Sequence, residues 1–178
     1  MESGGNDPAL WLRVIGLYAA EDPLQIAHTQ AVADYTERIA EMEGCSERRI
    51  FLLKTAALLH DIGKPETTRE RRGKITSYDH DKAGMRLARE FLSALTDDYT
   101  LIERVGRLVR YHMQPFFVVK GLPFAEVGAM KRETDVREVA LLGYGDRMGR
   151  TNSSSQAECA CTREFLQKCG AGDVRLEL

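Results

Sequence analysis

The chain has 178 residues, a net charge of -2 at neutral pH and a hydrophobic content of 43%. That length suits one domain, which would bury roughly 70% of its unfolded surface and so form a self-sufficient core. The near-neutral charge excludes a global basic field for nucleic acid or anionic lipid, although a local basic patch stays open.

The sequence also indicates in which cellular compartment the protein is expected. No apolar run approaches the ~20 residues that cross a bilayer, and the acidic, polar N-terminus is not typical of a secretory signal. The four cysteines include no C-x-x-C motif, so we expect reduced thiols rather than disulfides. We therefore expect a cytoplasmic protein without a membrane partner.

Capping signals followed by apolar residues at helical spacing predict one helix after another. The first helix follows Asp22-Pro23, and Ser46 caps a second whose apolar run covers nearly all its faces and belongs in the core. A breaker cluster at residues 63–65 ends that helix. Later helices are predicted from Leu87 to Leu95 and after capping boxes at Thr100–Glu103, Asp135–Glu138 and Ser155–Glu158.

Strand signals are weak, and residues 74–78 and 116–119 are the only candidates. We therefore predict an all-α, single-domain helical bundle. Residues 22–150 would form the domain, residues 1–21 an N-terminal extension or short helix, and residues 151–178 a C-terminal helix and tail packed on the same domain.

A histidine–aspartate doublet, His60-Asp61, stands at the end of the buried second helix. Consecutive helical residues project ~100° apart, so the two side chains can straddle a metal ion above the helix surface. The edge of an apolar core is a costly place for a charge without a partner, and a cation supplies one. With His28 upstream and Asp146 downstream, four ligands from three helices would build a bundle site.

Each residue also has an ordinary explanation. Asp146 could be a turn residue beside Gly145, His112 could complete an apolar helix face, and His80 could neighbour a helix N-cap. The joint pattern favours the metal site. In the HDIGKP motif (60–65), helix-breaking residues follow the doublet almost directly.

The pattern of His28, His60-Asp61 and Asp146 resembles the signature of the HD-domain superfamily, which comprises all-α, metal-dependent phosphohydrolases. The resemblance covers roughly residues 22–150. Four motifs are similar to the HD half of bacterial CCA-adding tRNA nucleotidyltransferases: HDIGKP (60–65), DHDKAG (79–84), RYHMQP (110–115) and DRMGR (146–150).

The resemblance implies metal ligation by His28, His60, Asp61 and Asp146. It also implies that His80 and His112 bind a second ion, so we expect one or two ions, with Asp61 bridging a dinuclear site. Mixed imidazole and carboxylate ligands favour Mn, Fe, Co, Ni or Zn over Mg.

Nearby cations suggest how a phosphate would be held. Lys64, three residues beyond the catalytic candidate Asp61, is predicted to reach a substrate phosphate and stabilise its developing charge. Arg147 and Arg150 flank Asp146 and are predicted to bind substrate, although one of them could instead pair with a carboxylate that orients the site.

Two further segments have open interpretations. Residues 69–72 form a basic run that is either a solvated loop or a contact for a polyanionic substrate. Residues 116–119 would pack in the core or wall a nucleobase pocket.

Differences between this sequence and the motifs of related enzymes narrow the range of expected substrates. Nothing before His28 matches the nucleotidyltransferase head, so we expect hydrolysis rather than CCA addition. Cyclic-di-GMP phosphodiesterases of the HD-GYP type carry a His-His-Glu motif where His112 is followed by Met113-Gln114. Alarmone hydrolases carry an acidic pair where this chain has Lys64.

We therefore expect a phosphomonoesterase or phosphodiesterase whose substrate is a nucleotide or phosphorylated small molecule. The candidates are nucleotides, 2′,3′-cyclic phosphates, dinucleoside polyphosphates and phosphorylated RNA or other nucleic-acid ends. The alternatives are an HD-fold di-iron oxygenase and a regulatory HD module without catalysis.

Overall fold

A computed structural model describes residues 23–176 of the chain. Helices dominate this part, which confirms the predicted all-α class. They are α1 (Pro23–Met42), α2 (Glu47–Leu59), α3 (Lys64–Thr67), α4 (His80–Ser93), α5 (Tyr99–Tyr111), α6 (Gln114–Val119), α7 (Val127–Glu133), α8 (Val136–Met148) and α9 (Ser155–Cys169). The extension predicted at residues 1–21 lies outside the described residues.

Helix α8 lies at the centre of the bundle, and every residue from Glu138 to Asp146 is buried. Helix α1 packs along both α2 and α8, α5 packs against α2 and α4, and α9 covers α6 and α8. The apolar run of α2 is buried as its sequence requires, with Leu53 and Ala56 fully inside. Within residues 23–176, no helix combines the length and apolarity that a membrane span needs.

The predicted cap at Asp22 lies outside the described residues; of the other four predicted helix caps, two are confirmed and two are wrong. The Ser46 side chain accepts from the Arg49 amide, and the Asp135 side chain accepts from the Arg137 amide. Helix α5 begins two residues earlier than its Thr100 box predicts, because Asp98 is the N-cap and accepts from the Leu101 amide. Helix α9 follows Ser154, whose side chain makes no capping bond, rather than starting from a box at Ser155.

Of the two predicted strand candidates, one is wrong and one is confirmed in part. Residues 116–119 lie in helix α6, because Pro115 occupies its first turn and starts a helix well. Residues 74–76 of the other candidate do form a strand, β2 (Lys74–Thr76), which pairs antiparallel with β1 (Arg69–Arg71). Both strands are largely exposed, so no apolar alternation marks them in the sequence.

Helix α2 ends at Leu59, before the doublet, so the predicted stop at residues 63–65 is placed too late, and Lys64 and Pro65 instead begin the short helix α3. Gly63 lies so close to the next ligand-bearing helix that a Cβ atom would collide with the His80 carbonyl and the Gly84 amide. A glycine is therefore needed to bring the doublet and the start of α4 together.

Candidate metal centre

The His60-Asp61 doublet caps the end of α2 inside the protein, and both side chains are buried. His60 Nδ1 lies 2.6 Å from the Ala57 carbonyl oxygen. A carbonyl only accepts, so Nδ1 must be the donor of this bond. The opposite atom, Nε2, is buried without any hydrogen-bond partner of acceptable geometry. Its nearest neighbours are Asp61 Oδ2 at 3.2 Å and Asp146 Oδ1 at 3.8 Å.

The other three histidines are held in the same way. Nδ1 of His28 lies 3.2 Å from the Gly149 carbonyl, and Nδ1 of His80 and of His112 each lies 2.7 Å from a carbonyl three residues earlier in the chain. Each ring therefore keeps its proton on Nδ1 and turns Nε2 towards the shared centre. Such a bond on the outer nitrogen is how metal-binding histidines are usually fixed in tautomer and orientation.

His80 and His112 bring two such nitrogens together, with Nε2 atoms 3.2 Å apart. If both rings are neutral with Nδ1 protonated, two lone pairs face each other, and a cation or a proton must lie between them. Burial lowers the pKa of His112 to about 4, and the neighbouring His60 and His80 act in the same direction. His112 is therefore neutral and able to ligate.

Asp61 connects the two sides of the centre. Its Oδ2 accepts from Gln25 Nε2 at 3.0 Å and from Lys64 Nζ at 2.5 Å. Its Oδ1 faces the other pair, 3.6 Å from His80 Nε2 and 4.0 Å from His112 Nε2. Burial alone would raise the pKa of Asp61, but His60 and Lys64 hold it well below its usual range, so the carboxylate is ionised.

Asp146 completes the arrangement from the last turn of α8. Its Oδ1 lies 3.3 Å from His28 Nε2, and its Oδ2 accepts from Arg150 at 3.2 Å. Burial opposes ionisation of Asp146, but His28 and His60 hold its pKa far below its usual range. Burial likewise opposes a charge on His60, yet Asp61 and Asp146 raise its pKa to about 9. The centre thus favours positive charge.

Two groups of donors are close enough to hold a metal ion, and Asp61 belongs to both. One contains His28, His60 and Asp61, and the other Asp61, His80 and His112. The orphaned, buried Nε2 of His60 and the ionised carboxylates are what a divalent cation requires, so these residues fit the expected group. All six predicted ligands come together from five stretches of the chain.

The three predicted phosphate-binding cations are placed differently. Lys64 is part-exposed and contacts Asp61, and Arg150 is half-exposed and contacts Asp146. Arg147 instead makes two hydrogen bonds to Glu158 on α9, at 3.0 and 3.2 Å, which ties α8 to α9. Arg147 therefore fits the alternative of a carboxylate-paired residue better than a free phosphate ligand.

An open pocket leads to this centre. Its wall combines two metal-ligand candidates, two arginines and an apolar surface, namely His112, Met113, Pro115, Phe116, Gly143, Asp146, Arg147 and Arg150. Its volume of about 80 Å³ is far below the ~300–1,000 Å³ that encloses a drug-sized ligand. A substrate would insert a small group and leave its remainder on the surface.

Sequence reasoning missed two groups around the ligands. Gln25, which bonds to Asp61, lies one turn before His28 on α1, and that helical spacing was the available signal. Asp81, buried directly after His80, accepts from Arg110 at 2.6 Å, and Arg110 also bonds to Glu126 at 2.7 Å. The two hydrogen bonds of Arg110 join segments that are distant in the chain, so no local sequence pattern predicts them.

Comparison with known proteins agrees with this geometry. Residues 26–141 match the HD domain family, a span of about two thirds of the chain. A segment of 56 residues is 38% identical to the 3′3′-cGAMP-specific phosphodiesterase 2 of Vibrio cholerae and covers 30% of this chain. The match spans 11% of that relative's length. On the extent of the family match and the histidine–aspartate centre within it, the chain belongs to the HD domain family.

Proposed function

We propose that this protein is a metal-dependent phosphohydrolase acting on phosphate esters of nucleotides, as a phosphomonoesterase or a phosphodiesterase. The observation that supports this proposal most strongly is that four imidazole Nε2 atoms converge on two ionised carboxylates. Asp61 is shared between the two donor groups. The candidate substrates are nucleotides, 2′,3′-cyclic phosphates and nucleic-acid phosphate ends. The likeness to the HD half of CCA-adding enzymes stays a prediction.

The ligand assignment follows the two donor groups. His28, His60, Asp61 and Asp146 would hold one ion, and Asp61, His80 and His112 would hold a second. Mn, Fe, Co, Ni and Zn suit this mixture of nitrogen and oxygen donors. When bound, such ions act as Lewis acids that lower the pKa of water and polarise phosphoryl oxygens.

The protein's own residues orient and neutralise the reacting phosphate. Lys64 Nζ lies beside Asp61 and is part-exposed, so it can turn to a phosphoryl oxygen and stabilise its developing charge. The Arg150 guanidinium lies beside Asp146 in the pocket wall and offers a second, bidentate contact. Gln25 donates to Asp61 Oδ2 and thereby fixes the carboxylate's rotation.

The pocket supports an organic phosphate over inorganic phosphate. Phe116, Pro115 and Met113 place an apolar surface beside Arg150, so a phosphate at the centre would leave its organic part against this wall. The Vibrio cholerae relative is named for a phosphodiesterase reaction on a cyclic dinucleotide. That name adds a cyclic dinucleotide to the substrates worth testing.

The test is phosphate or nucleotide release from a panel of substrates with Mn, Co, Ni or Zn added. The panel contains nucleoside monophosphates, 2′,3′-cyclic nucleotides, dinucleoside polyphosphates and 3′3′-cGAMP. Asp61→Ala is the inactive variant, and Asp34→Ala is its control, because Asp34 is an exposed carboxylate on α1. We expect turnover that Asp61→Ala abolishes and Asp34→Ala retains.

Two results would contradict the proposal. Turnover that survives Asp61→Ala would remove the centre from the reaction. Tightly bound iron together with oxygen consumption and no hydrolysis would favour the oxygenase alternative.

A further inference from the structure

The β1–β2 hairpin projects from the short segment of chain between two ligand candidates, Asp61 and His80. Its register pairs Arg69 with Thr76, Glu70 with Ile75 and Arg71 with Lys74. Side chains alternate between the two faces of a strand, and directly paired residues share a face. One face therefore carries Arg69, Arg71, Lys74 and Thr76, which we call the cationic face. The hairpin's acidic residue, Glu70, lies on the opposite face with Ile75.

The cations of this face lack the partners that other basic residues have. Arg49, Arg89 and Arg110, for example, each bond to a carboxylate within 2.8 Å. Within residues 23–176, none of Arg69, Arg71 and Lys74 forms an ion pair with a carboxylate. All three are exposed, so their charge is available to a ligand.

An aromatic side chain accompanies these charges. The Arg71 guanidinium lies over the Tyr78 ring, 5.0 Å from its centroid, and Tyr78 is 60% exposed. An exposed ring beside cations is the combination on which proteins stack unpaired bases while neutralising the backbone. A polyphosphate or an anionic lipid headgroup such as phosphatidylserine has no planar base to stack on such a ring.

The base of the hairpin is joined to the metal centre on both sides. Thr68 and Ser77, which flank the two strands, are hydrogen-bonded through their hydroxyl groups at 2.7 Å. Thr68 also donates to the carbonyl of Lys64, whose Nζ contacts Asp61. Ser77 accepts from His80 Nδ1. The hairpin that carries the cationic face is therefore anchored to the two segments that carry Asp61 and His80.

We propose that the cationic face of the β1–β2 hairpin binds the backbone of single-stranded nucleic acid, with Tyr78 stacking on a base, and presents one phosphate of that strand to the metal centre. This inference rests on the proposed phosphohydrolase function for the fate of that phosphate. It narrows the substrate from any nucleotide to an oligonucleotide. The proposed binding itself does not depend on turnover.

The first experiment measures fluorescence anisotropy of a labelled 12-nucleotide single-stranded RNA over a series of salt concentrations. EDTA stops turnover in one arm, and Mn²⁺ is present in the other. Arg69→Gln/Arg71→Gln is compared with Arg38→Gln/Arg132→Gln, which also removes two exposed arginines that have no ion pair within residues 23–176. Arg38 lies ten residues beyond His28 on α1, about 15 Å along the helix.

We expect the hairpin variant to raise the Kd about five- to tenfold and to reduce the slope of log K against log salt by about 1.4, which is ~0.7 per lost phosphate contact. The KM of a 5′-phosphorylated 12-mer should rise relative to that of a mononucleotide. The control variant should bind like the wild type. Equal Kd values for the two double variants, or equal KM values for 12-mer and mononucleotide in the wild type, would overturn the proposal.

A second comparison separates nucleic acid from other polyanions. Tyr78→Ala should weaken binding of the 12-mer but not of a polyphosphate of equal charge, which has no bases to stack. Equal losses for both ligands, or wild-type binding to phosphatidylserine vesicles and not to the 12-mer, would overturn the assignment. If no substrate is hydrolysed but the hairpin variant still loses 12-mer binding, the proposed function fails and the inferred binding of single-stranded nucleic acid stands.

Discussion

Helices α2, α5 and α8 are joined at both ends by buried carboxylates, and the two junctions differ in how those carboxylates are neutralised. At one end Glu138, only 2% exposed, accepts from Arg49 at 2.8 Å and from Arg104 at 2.7 Å. At the other end Asp61 and Asp146 are surrounded mainly by imidazoles whose protons already bond to backbone carbonyls. The first junction is a complete ion-pair cluster, and the second is where we propose that cations bind.

This contrast separates a stabilising cluster from a functional one. A buried carboxylate with two guanidinium partners is satisfied within the chain and holds helices together. A cluster of carboxylates and lone pairs gains its balance from outside the chain. Perturbing each junction should therefore give different results, and four experiments test that difference.

The largest effect is expected from Asp61→Ala, because Asp61 belongs to both donor groups. We expect kcat/KM to fall about a thousandfold or more and bound metal to be lost. Elemental analysis after gel filtration and the substrate panel measure the two effects. A variant that retains its metal would place the shared ligand elsewhere.

The Glu138 junction should respond in stability and not in metal content. Glu138→Gln keeps an acceptor oxygen but removes the negative charge that two arginines share, so we expect a loss of about 2–3 kcal/mol in the free energy of unfolding. Urea denaturation in EDTA measures it, with the exposed Glu90→Gln as control. An equal loss for both variants, or a lower metal content in Glu138→Gln, would remove the distinction between the junctions.

The second ion is tested by His112→Ala. This change removes a ligand from one donor group only, so we expect metal stoichiometry to fall from two ions to one while the fold persists. Elemental analysis together with circular dichroism measures this. Unchanged stoichiometry would indicate a mononuclear centre with His80 and His112 as surrounding groups.

The smallest and most selective effects concern the two arginines after Asp146. Arg150→Gln should raise KM about tenfold, because it removes a phosphate contact. Arg147→Gln should leave KM near the wild-type value and cost about 1 kcal/mol or less in stability, since its partner is Glu158. Steady-state kinetics and thermal unfolding of both variants separate these roles, and a reversed pattern would exchange them.

These differences also explain what could be predicted from the sequence. The apolar run of α2 and the doublet after it are local signals, so this buried helix could be predicted from its own residues, and the first ligand candidates could be named from their likeness to a family. His80 and His112 depended on that likeness, because each has an ordinary explanation alone.

The missed features depend on contacts between distant segments. Arg147 and Glu158 lie on different helices, and Gln25 on α1 is far along the chain from Asp61 in the turn after α2, so both pairings require the packed bundle. Strand β2 lies within a predicted candidate, but its partner β1 was missed for another reason. Strand β1 is exposed and charged, and the alternation that marks a strand is an apolar one.

The Nδ1 bonds of the histidines have a consequence for spectroscopy. The chain has four histidines, and all four meet at this centre. A ring that binds a metal through Nε2 keeps its Nδ1 proton, and a carbonyl acceptor slows the exchange of that proton with water. With paramagnetic Co²⁺ in the centre, proton NMR should then resolve these four protons far from all other signals, one for each imidazole, without any isotope label.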